Sequence, residues 1–533
     1  MVNQLRAMAA CMNSLDYSIV AIYLIGLLLM GCVLRKQTSK QDYFLAGRSL
    51  GWKPLSLSIM ATQLSAVSFI SAPAFVGLRE GGGLVWLSYE LALPLAMLLL
   101  LYWILPTLYR SGVVSVYDFL EQRFSRSTRF LISLVFQISR SFATAIMIYA
   151  ISLILQSTMG LAFWQSVGLI GVITIIYSLQ GGMKAVVYGD TIQMCLIVVG
   201  ALVCLGFGLY HIGGWQQLFQ LVDTQRLTTL NITSNGFDGE GFGLLPMLFG
   251  GVILYASYYG CDQSEAQRSL SAKSLTDLKK MILAASFSRF PITLIYCLAG
   301  LVIGTLAMNT PAFMAQIPAG HPDWLMPIFI INYLPNGVLG LLLVAILAAA
   351  MSSLSSAINS LSAVSVEDYC RLSANTLSPK ASVKAAKIAG LFWGLITLTL
   401  SFYADDIAPT IIEAINKVGS VFYGPVLATF LLATCTQNIT SKQVNVGIVC
   451  GVLVNVFLWL FMPMVFWFWW NVSGFICTLV VTGLAFIVFG DGQKEGLLAR
   501  QQSPLSKANI IALLTWFVTM ILLCLLIADI GLD

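Results

Sequence analysis

Apolar stretches of roughly 20 residues recur along almost the whole chain, and nothing constrains its fold more, because a stretch of that length crosses the hydrocarbon layer of a bilayer as a helix. About fourteen can be placed, near 17–34, 54–78, 84–108, 130–157, 163–179, 185–212, 242–262, 282–308, 336–364, 388–403, 409–434, 443–462, 466–490 and 508–530. Inside lipid every backbone N–H and C=O must find a partner within the protein, which leaves helices or closed barrels, and runs this long select helices. The predicted class is an all-α polytopic membrane protein. Only 10% of the 533 residues are charged, against about a quarter in soluble domains, so a water-soluble fold is excluded. The first stretch is too long, and too closely followed by Arg35 and Lys36, for a cleaved signal peptide, and is expected to stay as an anchor.

Loop charges give a second reading of the same topology, because Lys and Arg collect on the cytoplasmic side. One set of alternate loops holds 22 of the 28 basic residues, among them Lys184 and Arg268, while the other set, termini included, holds only Arg6, Arg79 and Arg226. Arg140, Arg289 and Lys417 fall inside apolar segments. Missing or inventing one helix would swap the sides of all later loops, so the bias supports the count and places both termini outside. Eleven scattered cysteines with no CxxC pair suggest neither a disulfide framework nor a zinc cluster. The longest connections, about 213–241 and 309–335, lie on the outer side, and the Gly-rich acidic stretch 235–243 reads as a turn.

Two polar interruptions, IMATQLSAVSF (59–69) and YASYYGCDQSEAQR (255–268), stand far apart in the chain. Such pairs point to inverted repeats around a binding site near the membrane midplane. The segment AILAAAMSSLSSAINSLSA (345–363) crowds Ser352, Ser353, Ser355, Ser356 and Ser360 into one apolar span. Small residues and hydroxyls of this kind either pack helices together or hold a ligand. Asp190, in KAVVYGDTIQM, tips the balance toward a ligand, because a carboxylate inside a span costs at least about 2.5 to 3.5 kcal/mol unless paired or hydrated. Hydroxyls, carbonyls and one carboxylate make an oxygen site that suits a hard cation such as Na+. A structural role, pairing with Lys184 six residues earlier, is the alternative for Asp190.

These blocks, together with DYFLAGRSLGW (42–52), YSLQGGMKAVVYGDTIQ (177–193) and the DQ and QR pairs at 262, 263, 267 and 268, resemble the sodium:solute symporter family, relatives of the sodium/glucose cotransporters. The resemblance covers nearly the whole chain. It implies a leucine-transporter-like fold of two inverted five-helix repeats, with a helix at 17–34 before a ten-helix core at 54–434 and additional helices at 443–530. It implies sodium as the coupling ion, at a site using the carbonyls of Ala61 and Leu64 and residues Ala349, Ser352 and Ser353 of the Ser-rich helix. The positions i, i+3 and i+4 of that trio share one helical face. A second sodium site found in some members would use Asp190, Ser355 and Ser356.

For the solute, the resemblance to a sugar-transporting member implies contacts from Glu90, Asp262, Asn416 and Ser68, and makes a sugar the first expectation. Sialic-acid members imply instead a carboxylate held by Arg140 with Ser65 and Ser68. Arg140 stands three residues from the position expected for that role and could equally neutralise Glu90 or Asp262. An enzyme is excluded by the lack of convergent catalytic groups: there are two histidines, His211 and His321, and no HExxH, GxSxG or Walker-type phosphate loop. A channel or sodium-dependent solute sensor on the same scaffold is the alternative of another class. The expected partners are a small solute, sodium ions and the bilayer of the plasma membrane, with no nucleic acid and no obligatory protein partner.

Overall fold

A computed structural model describes residues 12–34, 39–64, 66–239, 241–373, 378–403, 410–489 and 505–529. The described residues are mostly helical, in α1 Ser14–Val33, α2 Trp52–Gln63, α3 Ala66–Gly77, α4 Leu84–Ser111, α5 Arg126–Met159, α6 Phe163–Ile212, α7 Leu244–Cys261, α8 Gln263–Leu270, α9 Leu275–Met308, α10 Val338–Ser373, α11 Pro379–Leu400, α12 Ile411–Cys435, α13 Ser441–Phe461, α14 Trp467–Phe489 and α15 Lys507–Asp529, with shorter helices between them. Twelve described helices are long and apolar enough to cross a membrane, or thirteen with α2 and α3 taken as one bent span. The apolar helix Phe163–Ile176 is shorter than that.

The segments 163–179 and 185–212 are joined in one 50-residue element, broken at Gly182 with φ +56° and ψ −155°. Only glycine fits there: a Cβ would lie 2.8 Å from the Tyr43 carbonyl oxygen, and the backbone is in the left-handed half of the map. Counting α6 as two helices, ten run from Trp52 to Cys435. The first, α2 and α3, is bent by 52°. The sixth, α7 and α8, is interrupted at Asp262, whose φ of −82° and ψ of 127° are extended. Two interruptions five helices apart are the geometry expected of a repeat.

Position in the bundle follows composition. The Ser-rich α10 is the most enclosed span, with 89% of its apolar window buried, and it packs against α1, α2, α5, α6, α8 and α11. The hydrophobic α13, α14 and α15 keep most of their surface outward, as lipid-facing helices should. Asp16 on α1 is fully buried, and its Oδ1 accepts from the backbone N–H groups of Gly337 and Gly340 at 2.7 and 2.8 Å. These are orphan donors at the start of α10, so a carboxylate there satisfies both the hydrogen bonds and the helix dipole.

Where α3 crosses α9 the backbones touch. A Cβ on Gly304 would lie 2.3 Å from Gly77 Cα, and one on Gly300 would lie 2.5 Å from Pro73 Cα. Small residues permit this approach, which supplies the dispersion contact that drives helix association in lipid. Gly304→Ala should therefore cost about 1 to 3 kcal/mol, seen as a lower melting temperature in detergent. Gly206→Ala, whose Cβ would meet nothing within 4 Å, should leave melting unchanged.

Candidate functional site

Interrupting a helix frees backbone carbonyls, and the bend between α2 and α3 does this opposite the serines of α10. Ala61 and Leu64 are fully buried at the end of α2, where Leu64 leaves the helix with φ −80° and ψ 61°. Ser353 Oγ donates to the Thr62 carbonyl at 3.3 Å and to the Ala349 carbonyl at 3.4 Å. Thr62 Oγ1 meets Ser356 Oγ at 3.3 Å. The structure thus brings Ser353 to the unwound end of α2. Ser352, one position earlier, turns away and donates to Asp190 Oδ1 at 2.6 Å.

Asp190 is buried and completely partnered. Its Oδ2 accepts from Ser58 Oγ at 2.5 Å and from Arg268 Nη2 at 2.6 Å. Arg268 also donates to Ser58 Oγ at 2.7 Å, to Ser356 Oγ at 2.5 Å and to the Ser264 carbonyl. This corrects one expectation: Arg268 is not a loop charge but a buried cation, and it stands beside Asp190 and Ser356, two of the residues expected at a second sodium. Ser355 does not join the group: its Oγ donates to the Ser352 carbonyl at 3.0 Å. Lys184 pairs with Asp42 at 3.6 Å and not with Asp190.

On the other side of the bend lies a cavity. Gln63, Ser68, Trp86, Tyr89, Tyr258, Asn416 and Tyr423 line it together with Arg140 and Arg289. Arg140 Nη2 pairs with Asp262 Oδ2 at 2.5 Å, and its guanidinium carbon lies 5.2 Å from the centroid of Tyr258. Arg289 pairs with Glu90, Nε to Oε2 at 3.2 Å. Each pair is buried, so each charge meets its match where water cannot supply one. Arg140 Nε and Arg289 Nη1 remain without a hydrogen-bond partner.

The predicted solute residues therefore separate. Ser68, Arg140 and Asn416 line the cavity, with Asn416 Nδ2 bonded to the Ile412 carbonyl at 2.8 Å. Glu90 and Asp262 do not line it; they are the counter-ions of arginines that do. Asp262 additionally caps α8 by accepting from Ser264 N at 2.8 Å. Ser65 lies outside the described residues. Sequence reasoning missed Arg289 as a cavity residue, and missed the stacked Tyr89 and Tyr255, whose rings lie 4.4 Å apart. A cation in the middle of an apolar span was the available signal for Arg289.

With this geometry in place, similarity to known proteins can be read. Residues 43–454 match the model of the sodium:solute symporter family. The chain belongs to that family. It is 29% identical to the human sodium/iodide cotransporter, over 83% of this chain and 69% of that one. It is 27% identical to bovine sodium-coupled monocarboxylate transporter 2 (79% and 68%) and 26% identical to rabbit sodium/glucose cotransporter 1 (83% and 72%). Among solved structures, the substrate-bound outward-open state of a Na+-coupled sialic acid symporter superposes with a TM-score of 0.80 at 24% identity, over 90% of this chain and 99% of that one. The fold is leucine-transporter-like. The family member is a multi-pass membrane protein that couples sodium to solute symport, and not an enzyme.

Removing one partner of a buried pair leaves an uncompensated charge, which costs about 3 to 5 kcal/mol. Arg268→Gln and Asp190→Asn should each destabilise by that order, and the double variant by less than the sum. Chemical denaturation of the purified protein in detergent measures all three.

Proposed function

We propose that this protein carries a small organic carboxylate into the cell with sodium. The observation that carries the reading is the pair of cavity-lining guanidinium groups, Arg140 and Arg289, each with an N–H left unpartnered after its carboxylate is satisfied. An anion supplies the missing acceptors, and Arg binds carboxylate with charge-assisted geometry. Ser68, Gln63 and Asn416 offer further hydrogen bonds, and Trp86, Tyr89, Tyr258 and Tyr423 offer apolar walls with polar tips. A sugar, the first expectation from sequence, would draw on the Glu90 and Asp262 carboxylates, and both are engaged by arginine outside the cavity lining.

Sodium is assigned to the unwound end of α2, with the carbonyls of Ala61 and Leu64 and with Ala349, Ser352 and Ser353 of α10 as ligands. Ser352 would have to exchange its bond to Asp190 for the ion. One sodium per cycle is the stoichiometry that follows from Arg268 standing beside Asp190. The plasma membrane, with both termini outside, is the setting that the loop charges favour.

In proteoliposomes with a sodium gradient, labelled lactate should be taken up with a Hill coefficient for sodium of about one. Ser353→Ala should abolish this uptake. Arg140→Lys should weaken it by about 10- to 100-fold, as the loss of a charged hydrogen bond worth about 1.5 to 3 kcal/mol requires. Competition by neutral hexoses and not by carboxylates would return the sugar reading. Sodium-dependent lactate binding without counterflow would make the protein a sensor.

A further inference from the structure

Glu265 sits on α8 three residues after Asp262 and three before Arg268. It is fully buried, and neither of its carboxylate oxygens has a hydrogen-bond partner. The other carboxylates around it are matched: Asp262 by Arg140 and Asp190 by Arg268. The cations that act on Glu265 are therefore already committed elsewhere.

The charged groups facing it are Arg140 from α5, Asp190 from α6, and Asp262 and Arg268 at the two ends of its own helix. The phenols of Tyr258 and Tyr259 on α7 and of Tyr423 on α12 complete the titratable set. The contacts of α2 and α10 with α8 are neutral hydroxyls and an amide, from Ser58, Ser356, Asn359 and Ser360. Segments 40–45 and 116–123 touch α8 through the Phe44 carbonyl and the Val116 N–H. Nothing here neutralises an ionised Glu265. A bare carboxylate in such surroundings takes up a proton instead of remaining charged without a partner.

We propose that Glu265 is a proton-binding site of the translocation core, set between the Arg140–Asp262 and Arg268–Asp190 ion pairs, protonated in this conformation and releasing its proton to water when those pairs part. Binding forms one O–H bond on a Glu265 oxygen with a proton from water, and release breaks the same bond. No other reactant takes part. Both ion pairs touch elements that alternating access must move, since one faces the cavity and the other the serines of α10. The solute cycle is then linked to protons as well as to sodium.

Infrared spectroscopy of the purified full-length protein in D2O tests this without any transported solute. The C=O stretch of a buried carboxylic acid should be present at neutral pH in the wild type and be missing from Glu265→Gln. Glu265→Asp keeps the acid and should keep a titrating band. A wild-type spectrum that matches Glu265→Gln at neutral pH overturns the proposal, because the carboxylate is then ionised. In proteoliposomes with an inward sodium gradient and labelled lactate, wild-type uptake should vary with pH while Glu265→Gln gives a flat profile. Equal pH profiles in the two proteins overturn the link to the cycle. Failure of lactate as a substrate leaves the infrared result decisive, so the two readings fail separately.

Discussion

Charge neutralisation without water is the constraint on which the rest of this structure depends. Moving a carboxylate or a guanidinium from water into a medium of low dielectric costs several kcal/mol even after relaxation, and a partner at hydrogen-bond distance is what offsets it. Three such pairs, Glu90–Arg289, Asp262–Arg140 and Asp190–Arg268, stand inside the bundle. Each joins helices that are distant in sequence, so the pairs fix which helices are neighbours. They also leave a precise residue of chemistry: two arginines with donors to spare at the cavity, and one glutamate with none to receive.

The second constraint is that backbone polar groups can be released only where something else takes them. The bend between α2 and α3 and the interruption at Asp262 are the two places where the ten-helix core opens its hydrogen-bond ladder. A side chain stands ready at each. Ser353 reaches the Thr62 carbonyl at 3.3 Å, and Asp262 caps α8 through Ser264 N at 2.8 Å. Because α10 places Ser353 at the first opening and Ser360 against Ser264 at the second, one helix touches both. Ser352 and Ser353 are adjacent yet face different partners, since neighbouring residues of a helix point about 100° apart.

What the sequence made legible follows from range. Apolar runs, the bend near Ala61–Leu64, the break near Asp262 and the enrichment of serine on α10 are local features, and each is found where the residues put it. The identity of partners was not local. Asp190 was recognisable as a carboxylate that needed compensation, but its cation, Arg268, lies 78 residues away in a polar stretch that reads as a loop. Arg289 lies 199 residues from Glu90, and nothing in either neighbourhood names the other. Arg140 was left between two carboxylates, and only the folded chain pairs it with Asp262. The unpaired state of Glu265 was least legible of all, because an absence of partners exists only once every neighbour has been placed.

Charge accounting also bears on how much work one sodium can do. A monocarboxylate moving with a single sodium carries no net charge, so the membrane potential, worth about 2.3 kcal/mol per charge per 100 mV, contributes nothing to its accumulation. Only the sodium concentration ratio remains, about 1.4 kcal/mol for each tenfold. A transporter built this way concentrates its solute no further than the sodium gradient itself. A proton moving inward with the solute would restore one net positive charge, and with it the whole of the potential term. On the proposed reading, Arg268 beside Asp190 keeps the cycle to one sodium, and a proton on Glu265 is what would add to its driving force.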